Sequence, residues 1–457
     1  MNISLDLLKK YNVQGPRYTS YPPAPSWSAG VGVKEYEDFI QKSNASQNPV
    51  PLSLYFHLPF CESLCYFCGC TTVITGKNRS AENPYLQHLH TEIERLGSKI
   101  NKNRPVVQFH LGGGTPTYLE PQNLEALLKR VRQFFAIDPD CEMGVEIDPR
   151  VTNKKHLMVL KNMGFNRLSM GVQDFNPEVQ KAINRIQPFD LTKALVEEAR
   201  VLGFKSINID LIYGLPHQTE NSFSETINQI LDIQPDRLAV YSYAHVPWMK
   251  KHQELFAAHL PNEKTKFSLL LLAMKKFSQA GFEYIGMDHF AKPNDELAVA
   301  RKNRTLWRNF QGYTTKAGTD LLGLGMSSIG CVNGAFFQNE RELKTYQDAI
   351  SGGRLATVRG FLLSKDDKLR SRVIQSLLCH AHVSKAEIER DFQIKFDEYF
   401  SNSLIALEPL VKDGLLNITK EEIQPTNVGR VFLRNIAMPF DAYLPKEGEK
   451  RVFSKTV

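Results

Sequence analysis

Leu52-Ser53-Leu54-Tyr55-Phe56-His57-Leu58-Pro59-Phe60-Cys61-Glu62-Ser63-Leu64-Cys65-Tyr66-Phe67-Cys68-Gly69-Cys70 joins two patterns. Its first seven residues alternate. Leu52, Leu54, Phe56 and Leu58 share one face of an extended segment, while Ser53, Tyr55 and His57 share the other. Three cysteines then follow with the spacing C-x3-C-x2-C. A strand that is apolar on one side and polar on the other therefore leads directly into a cluster of thiols.

Further strands are predicted at Val106–Leu111, Met143–Asp148, Arg167–Gln173, Ser206–Ile212 and Arg237–Tyr243, with one more at Phe282–Met287. Helical periodicity separates them at Asn83–Leu96, Asn123–Phe135, Leu191–Leu202 and Ser222–Leu231. Repeated strand–helix units make a parallel sheet with right-handed crossovers. Six such units predict an incomplete, TIM-like (β/α)6 barrel of the α/β class. No repeat of fixed period accompanies them.

The alternation carries a functional expectation. A packed barrel fills its interior with bulky branched residues. Here Met143, Val145 and Ile147 oppose Glu142, Gly144, Glu146 and Asp148. Leu168, Met170 and Val172 oppose Arg167, Ser169, Gly171 and Gln173, and Ile207, Ile209 and Leu211 oppose Ser206, Asn208 and Asp210. With the apolar faces on the helices, the polar faces line the lumen. Buried polar groups need partners, so the lumen is expected to hold cofactor, substrate or water. The sixth strand fits this scheme less cleanly.

Residues 1–50, rich in Pro, Tyr, Ser and Gly, read as an N-terminal arm with little periodic structure. Residues 51–361 read as the barrel and its extension, and residues 362–457 as a mainly helical, winged-helix-like C-terminal domain. That last segment combines helical patterns at Asp366–Ala381, Lys385–Phe392 and Val428–Ala437 with a hairpin at Leu415–Ile418 and Gln424–Thr426. The 457 residues carry a net charge of +7 without any Lys/Arg tract, so no nucleic-acid partner is expected. No apolar run is long enough to span a bilayer, and Met1–Lys10 lacks the apolar core of a secretory signal. A cytoplasmic monomer is the expectation.

Four of the seven cysteines fall between Cys61 and Cys70, which favours metal or cluster binding over a disulfide framework. Thiolates hold iron–sulfur clusters, usually four to a [4Fe–4S] cube. Cys61, Cys65 and Cys68 supply three and leave one iron open to a small molecule. A structural zinc site would favour C-x2-C pairs in two halves with a fourth ligand. The second strand runs into His110-Leu111-Gly112-Gly113-Gly114-Thr115-Pro116-Thr117, where glycines let the backbone approach a ligand closely. It lacks both the Gly-Lys-Ser/Thr of a phosphate loop and the last glycine of a dinucleotide fingerprint.

The cysteine spacing resembles that of the radical S-adenosylmethionine (SAM) superfamily. There the methionyl end of SAM occupies the open iron, and SAM cleavage yields a 5′-deoxyadenosyl radical. A closer resemblance, covering nearly the whole chain, is to the oxygen-independent coproporphyrinogen III oxidase family. It rests on Gly15-Pro16-Arg17-Tyr18-Thr19-Ser20-Tyr21-Pro22, the C-x3-C-x2-C-G-C ending at Cys70, and Arg167–Phe175. Asn208–Pro216, Gly286–Phe290 and Asn309–Thr315 extend it.

The resemblance implies decarboxylation of two propionates of coproporphyrinogen III to vinyls, with flavodoxin or ferredoxin as reductant and two SAM molecules. It places Tyr55, Gly113 and Glu146 on the cluster-bound SAM. Phe67, Gly114, Thr115 and Gln173 would meet the second, together with Arg185, Asp210, Ala244 and Ile329. Arg17 and Arg308, set beside aromatic residues, are candidates for the substrate's carboxylates. The alternative is a heme-binding chaperone paralogue, but such paralogues typically carry an aromatic residue at the position of Cys70 and lack the long arm.

Ser in place of Cys61, Cys65 or Cys68 is expected to abolish the [4Fe–4S] cluster and SAM cleavage, because each true ligand is needed for assembly. Cys70→Ser is expected to keep the cluster. Iron content and electron paramagnetic resonance of the reduced variants, with and without SAM, check this. A Cys70→Ser protein unable to assemble the cluster would overturn the three-ligand site.

Overall fold

The alternating stretch forms strand β1 (Leu52–Leu58) of the computed structural model, which describes residues 3–445 and 453–456. Residues 1–2, 446–452 and 457, the outer ends of the expected arm and C-terminal segment, lie outside the described residues. After β1 come β2 (Val106–Gly113), β3 (Ile137–Ile147), β4 (Arg167–Gln173), β5 (Ser206–Tyr213) and β6 (Arg237–Ser242), each parallel to the one before. Helices at Glu82–Gly97, Pro121–Phe134, Phe189–Val201 and Glu220–Ile233 lie within two residues of the predicted spans. Five more are found beyond the prediction: Lys154–Asn162, Pro177–Ala182, Glu263–Gln279, Glu296–Lys302 and Leu343–Ser351.

The apolar faces pack outward as the alternation requires. Leu52, Leu54, Phe56 and Leu58 are buried in one core with Leu89 and Ile93, Leu124 and Leu128, and Phe223 and Ile227 of the surrounding helices. The expected strand at Phe282–Met287 is β7 (Glu283–Gly286), paired antiparallel with β8 (His289–Ala291), which in turn lies antiparallel on β6.

On the other side β1 pairs in parallel with β9 (Asp320–Leu324), followed antiparallel by β10 (Ile329–Val332), β11 (Ala335–Asn339) and β12 (Thr357–Leu362). The sheet runs β12-β11-β10-β9-β1-β2-β3-β4-β5-β6-β8-β7, so it is an open, incomplete barrel with edges at β12 and β7. The last four strands of the chain's barrel escaped prediction for a physical reason. Asp320–Leu324 and Ala335–Asn339 are buried at every position and show no alternation. Gly323 reads as a loop signal, yet its role is close backbone crossing. A Cβ there would sit 2.7 Å from the Ile329 carbonyl.

The arm is more ordered than its composition suggested. It carries helices at Leu5–Tyr11 and Val33–Asn44. Leu8, Tyr11, Tyr18 and Tyr21 are buried in a second core with Leu369, Val373 and Leu377 of the C-terminal helix Lys365–His380, and with Phe432 and Ile436. The predicted hairpin appears as Leu416–Ile418 against Glu422–Pro425, with Val383–Ser384 as a third strand. The predicted Val428–Ala437 helix is a 3-10 turn at Gly429–Phe432 followed by a short α-helix at Leu433–Ala437. A helix at Ser401–Lys412, with Pro409 inside it, was not predicted. Among the described residues no helix is long and apolar enough to cross a membrane.

The lumen is polar, and side chains of its lower half pair across the strands around a cavity of about 160 Å3. Ser53 Oγ donates to Gln108 Oε1 at 2.8 Å, and Gln108 Nε2 donates to Glu142 Oε1 at 2.8 Å. Arg167 Nε stands 3.4 Å from Glu142 and also pairs with Glu296. Side chains from successive strands thus meet much of their own hydrogen-bonding need there, although Arg167 Nε has no hydrogen-bond partner among the described residues.

Below the barrel, the Arg104 guanidinium is 1% exposed and donates to Asp320 Oδ2 at 2.6 Å. Asp320 also accepts from Ser43 and from the Asn333 N–H. Asp320→Ala is expected to cost about 3–5 kcal/mol, because it leaves a buried cation without its carboxylate. Urea unfolding of the variant checks this, and a loss below about 1 kcal/mol would mean that water reaches Arg104.

Candidate active site

The cysteine loop is fastened from outside. Phe60–Cys61 pairs with Val73–Ile74, closing the excursion at its base. Asn184 Nδ2 donates to the Leu64 carbonyl at 2.8 Å, Gln253 Nε2 to the Phe67 carbonyl at 3.2 Å, and Lys250 Nζ to the Cys70 carbonyl at 2.8 Å. With its carbonyls turned outward, the loop presents Cys61, Cys65 and Cys68 to one cavity of about 170 Å3.

Two guanidiniums back the thiols. Arg150 Nη2 lies 3.4 Å and Arg185 Nη1 3.6 Å from Cys65 Sγ. Both also hold Asp148, at 2.7 and 3.0 Å. Burial opposes ionisation of Asp148, but Arg185 and Arg150 outweigh it and keep the carboxyl down at about 2. Burial pushes the Cys61 thiol up to about 12, so ligation there must displace a proton. The nearness of Cys68 and Cys70 lowers the Cys68 thiol and raises that of Cys70.

Among the described residues no three His, Cys, Asp or Glu side chains gather about a single metal-ion position. Three thiols spread around one cavity, with arginines to offset thiolate charge, fit a polynuclear iron–sulfur group.

The upper lumen opens beside the thiols. Glu146 lines the thiol cavity and two neighbours, of about 160 and 350 Å3. Its Oε2 accepts from the Gly113 N–H at 3.2 Å. Phe67, Gly114, Thr115, Gln173, Arg185 and Asp210 also line the thiol cavity. Tyr55 and Ile329 line the 350 Å3 cavity with His57, Tyr241 and Phe310. Gly113 and Cys70 line both of these cavities. Ala244 is the exception. It lies in a separate cavity beside Arg17, built from the arm and the end of the chain.

Two local features differ from expectation. The glycines of the second motif first serve the protein's own packing. A Cβ on Gly114 would lie 2.4 Å from the Pro59 carbonyl, so β2 could not close on the loop that follows β1. Gln173, at the end of β4, has φ +69, a left-handed conformation that a non-glycine residue adopts at a cost.

Arg17 is engaged by Asp288 and lies 5.3 Å from the Tyr241 ring centroid. Arg308 is 4% exposed and lies 4.9 Å from the Tyr313 ring centroid. Among the described residues its Nε and Nη1 lack hydrogen-bond partners. The Asp148–Arg150–Arg185 triad was missed as a unit. The signal for it is Asp148-Pro149-Arg150 at a strand end, two residues after Glu146.

An open parallel barrel that carries a C-x3-C-x2-C loop at the end of its first strand is the architecture of a radical SAM protein, and residues 55–230 match the radical SAM superfamily model. Residues 363–432 match the HemN C-terminal domain. The chain is 44% identical to the oxygen-independent coproporphyrinogen III oxidase of Escherichia coli K12, over 99% of this chain and 98% of that one. It is 42% identical to the Helicobacter pylori J99 protein of that name, over 100% and 99% of the two chains. The solved E. coli coproporphyrinogen III oxidase (HemN), described as a radical SAM enzyme, superposes with a TM-score of 0.92 at 43% identity, covering 97% of this chain and 100% of that one. The chain belongs to the oxygen-independent coproporphyrinogen III oxidase family.

Asp210 yields a test of the lumen. Burial raises its carboxyl to about 7, against a hydrogen bond from Asn208 Nδ2 at 2.7 Å that lowers it. The folded protein therefore holds a proton that the unfolded chain has lost, and this group's contribution to stability falls as pH rises from about 4 to about 7. Asp210→Asn should raise the unfolding midpoint of ligand-free protein at pH 8, with a smaller gain at pH 5. Calorimetry at both values checks this, and a gain independent of pH would refute the burial argument.

Proposed function

We propose that the chain catalyses the oxygen-independent oxidative decarboxylation of two propionates of coproporphyrinogen III to vinyls, giving protoporphyrinogen IX. The observation that carries this reading is the three-thiol loop opening onto a polar upper lumen, in a chain 44% identical to the E. coli oxidase over 99% of its length.

Cys61, Cys65 and Cys68 hold the [4Fe–4S] cluster. Tyr55, Gly113 and Glu146 receive the cluster-bound SAM. Phe67, Gly114, Thr115, Gln173, Arg185 and Asp210 receive a second SAM, with Ala244 and Ile329 at its margins. When bound, cluster and SAM supply a carbon radical able to take a hydrogen atom from an unactivated carbon.

The protein positions and shields. Glu146 and Asp210 offer acceptors to ammonium and ribose hydroxyl groups. Arg150 and Arg185 keep Asp148 ionised and offset the thiolates. The substrate's balance needs no protein base: one hydrogen atom leaves the propionate β-carbon, the carboxylate departs as CO2, and one electron leaves as the alkene forms. Flavodoxin or ferredoxin supplies the reducing electron, and the protein works as a cytoplasmic monomer. The heme-chaperone alternative is not favoured, since the relatives that align over nearly the whole chain carry oxidase names.

Anaerobic incubation with SAM, a reductant and coproporphyrinogen III should yield a product lighter by two CO2 and four hydrogens, with 5′-deoxyadenosine formed alongside. Retention of heme with no change in substrate mass would overturn the reading.

A further inference from the structure

The cavity that holds Ala244 has a chemistry of its own. It measures about 260 Å3 and lies between the arm, the segment after β6 and the end of the chain. Three long basic side chains reach it: Arg17, Lys266 and Lys455. Arg17 is engaged by Asp288, and Lys455 by Glu263 at 3.1 Å.

Lys266 differs. It stands in the first turns of the helix Glu263–Gln279. Its methylenes run over Gly214, where a Cβ would come within 3.1 Å of Lys266 Cε. Its Nζ lies 6.0 Å from the Tyr213 ring centroid and donates to the Tyr243 carbonyl at 3.3 Å. Among the described residues no carboxylate stands within ion-pair distance of it. Burial lowers its ammonium to about 8, the mark of a positioned cation short of negative charge.

The cavity stands back to back with the lumen. Ser242, Tyr243 and Ala244, on its wall, directly follow Tyr241, which lines the lumen. Arg17 lies over that same Tyr241 ring. The main lumen cavity is about 350 Å3. A tetrapyrrole with four propionate arms needs a pocket near the top of the usual range, on the order of 1,000 Å3. A substrate of that size overruns the 350 Å3 cavity, and the neighbouring cavity offers a cation with no carboxylate in ion-pair distance among the described residues.

We propose that Lys266 binds a carboxylate of a propionate remote from the reacting one, with the cavity between arm and chain end as that arm's pocket. The inference rests on the substrate proposed above.

Two measurements test it. In steady-state turnover, Lys266→Gln should raise KM for coproporphyrinogen III by about tenfold, as expected for a lost charge-assisted hydrogen bond. It should change kcat by less than about twofold, and Lys266→Arg should recover most of the loss. Binding without turnover is read by quenching of tryptophan fluorescence, since Trp248 lies on the cavity wall. Lys266→Gln should weaken coproporphyrin III by about tenfold and leave its uncharged tetramethyl ester unaffected. Unchanged KM, or equal weakening of acid and ester, would overturn the proposal. A wild-type protein that binds the acid through Lys266 but does not turn over coproporphyrinogen would instead count against the proposed reaction.

Discussion

A strand in the middle of a curved sheet sends alternate side chains to opposite sides, and in this protein both sides are enclosed. The outer set meets helices and is apolar. The inner set is polar and stays so along β1, β3, β4 and β5, which leaves donors and acceptors inside a closed space. The lower inner residues solve this by pairing across strands, from Ser53 through Gln108 and Glu142 to Arg167. The upper ones are not closed in that way. Glu146 and Asp210 look onto open cavities, and the raised Asp210 carboxyl measures how strongly burial opposes its charge. The cysteine loop closes over this upper half and places its thiols where the internal pairing ends.

The Asp148 carboxylate ties that loop to the sheet. It lies just past β3, binds Arg150 beside it and Arg185 from the segment after β4, and both guanidiniums reach Cys65. The arrangement brings positive charge to a site where thiolates concentrate negative charge, while the loop backbone is held separately by Asn184, Gln253 and Lys250. Lys250 serves both ends, since its ammonium also favours the Cys68 thiolate.

Much of this was legible in the sequence, because it depends on local spacing. Alternation assigned the faces of β1, β3, β4 and β5, and the cysteine spacing marked the loop. What was not legible depends on register or on burial from both sides. The pairing of Gln108 with Glu142 is set by how β2 and β3 align, including a register shift near Val106. β9 and β11 are buried throughout and carry no period-two signal. The helix Val33–Asn44 could have been found, since Tyr36, Ile40 and Ser43 follow helical spacing on its buried face. The proline-rich stretch before it masks that spacing. Ala244 was placed by resemblance alone, and its neighbours in space come from the two ends of the chain.

Those two ends meet. Gln14 bridges to Lys455, and buried Arg434 donates to the carbonyls of Gly15 and Pro16 and to that of Lys455. Gly15 and Arg434 are separated by 419 residues. The part of the arm that carries Gly15 and Pro16 is thus held by residues more than 400 positions away in sequence. Docking of the arm is therefore a long-range step of folding, whereas β1 to β6 pair with their neighbours in sequence.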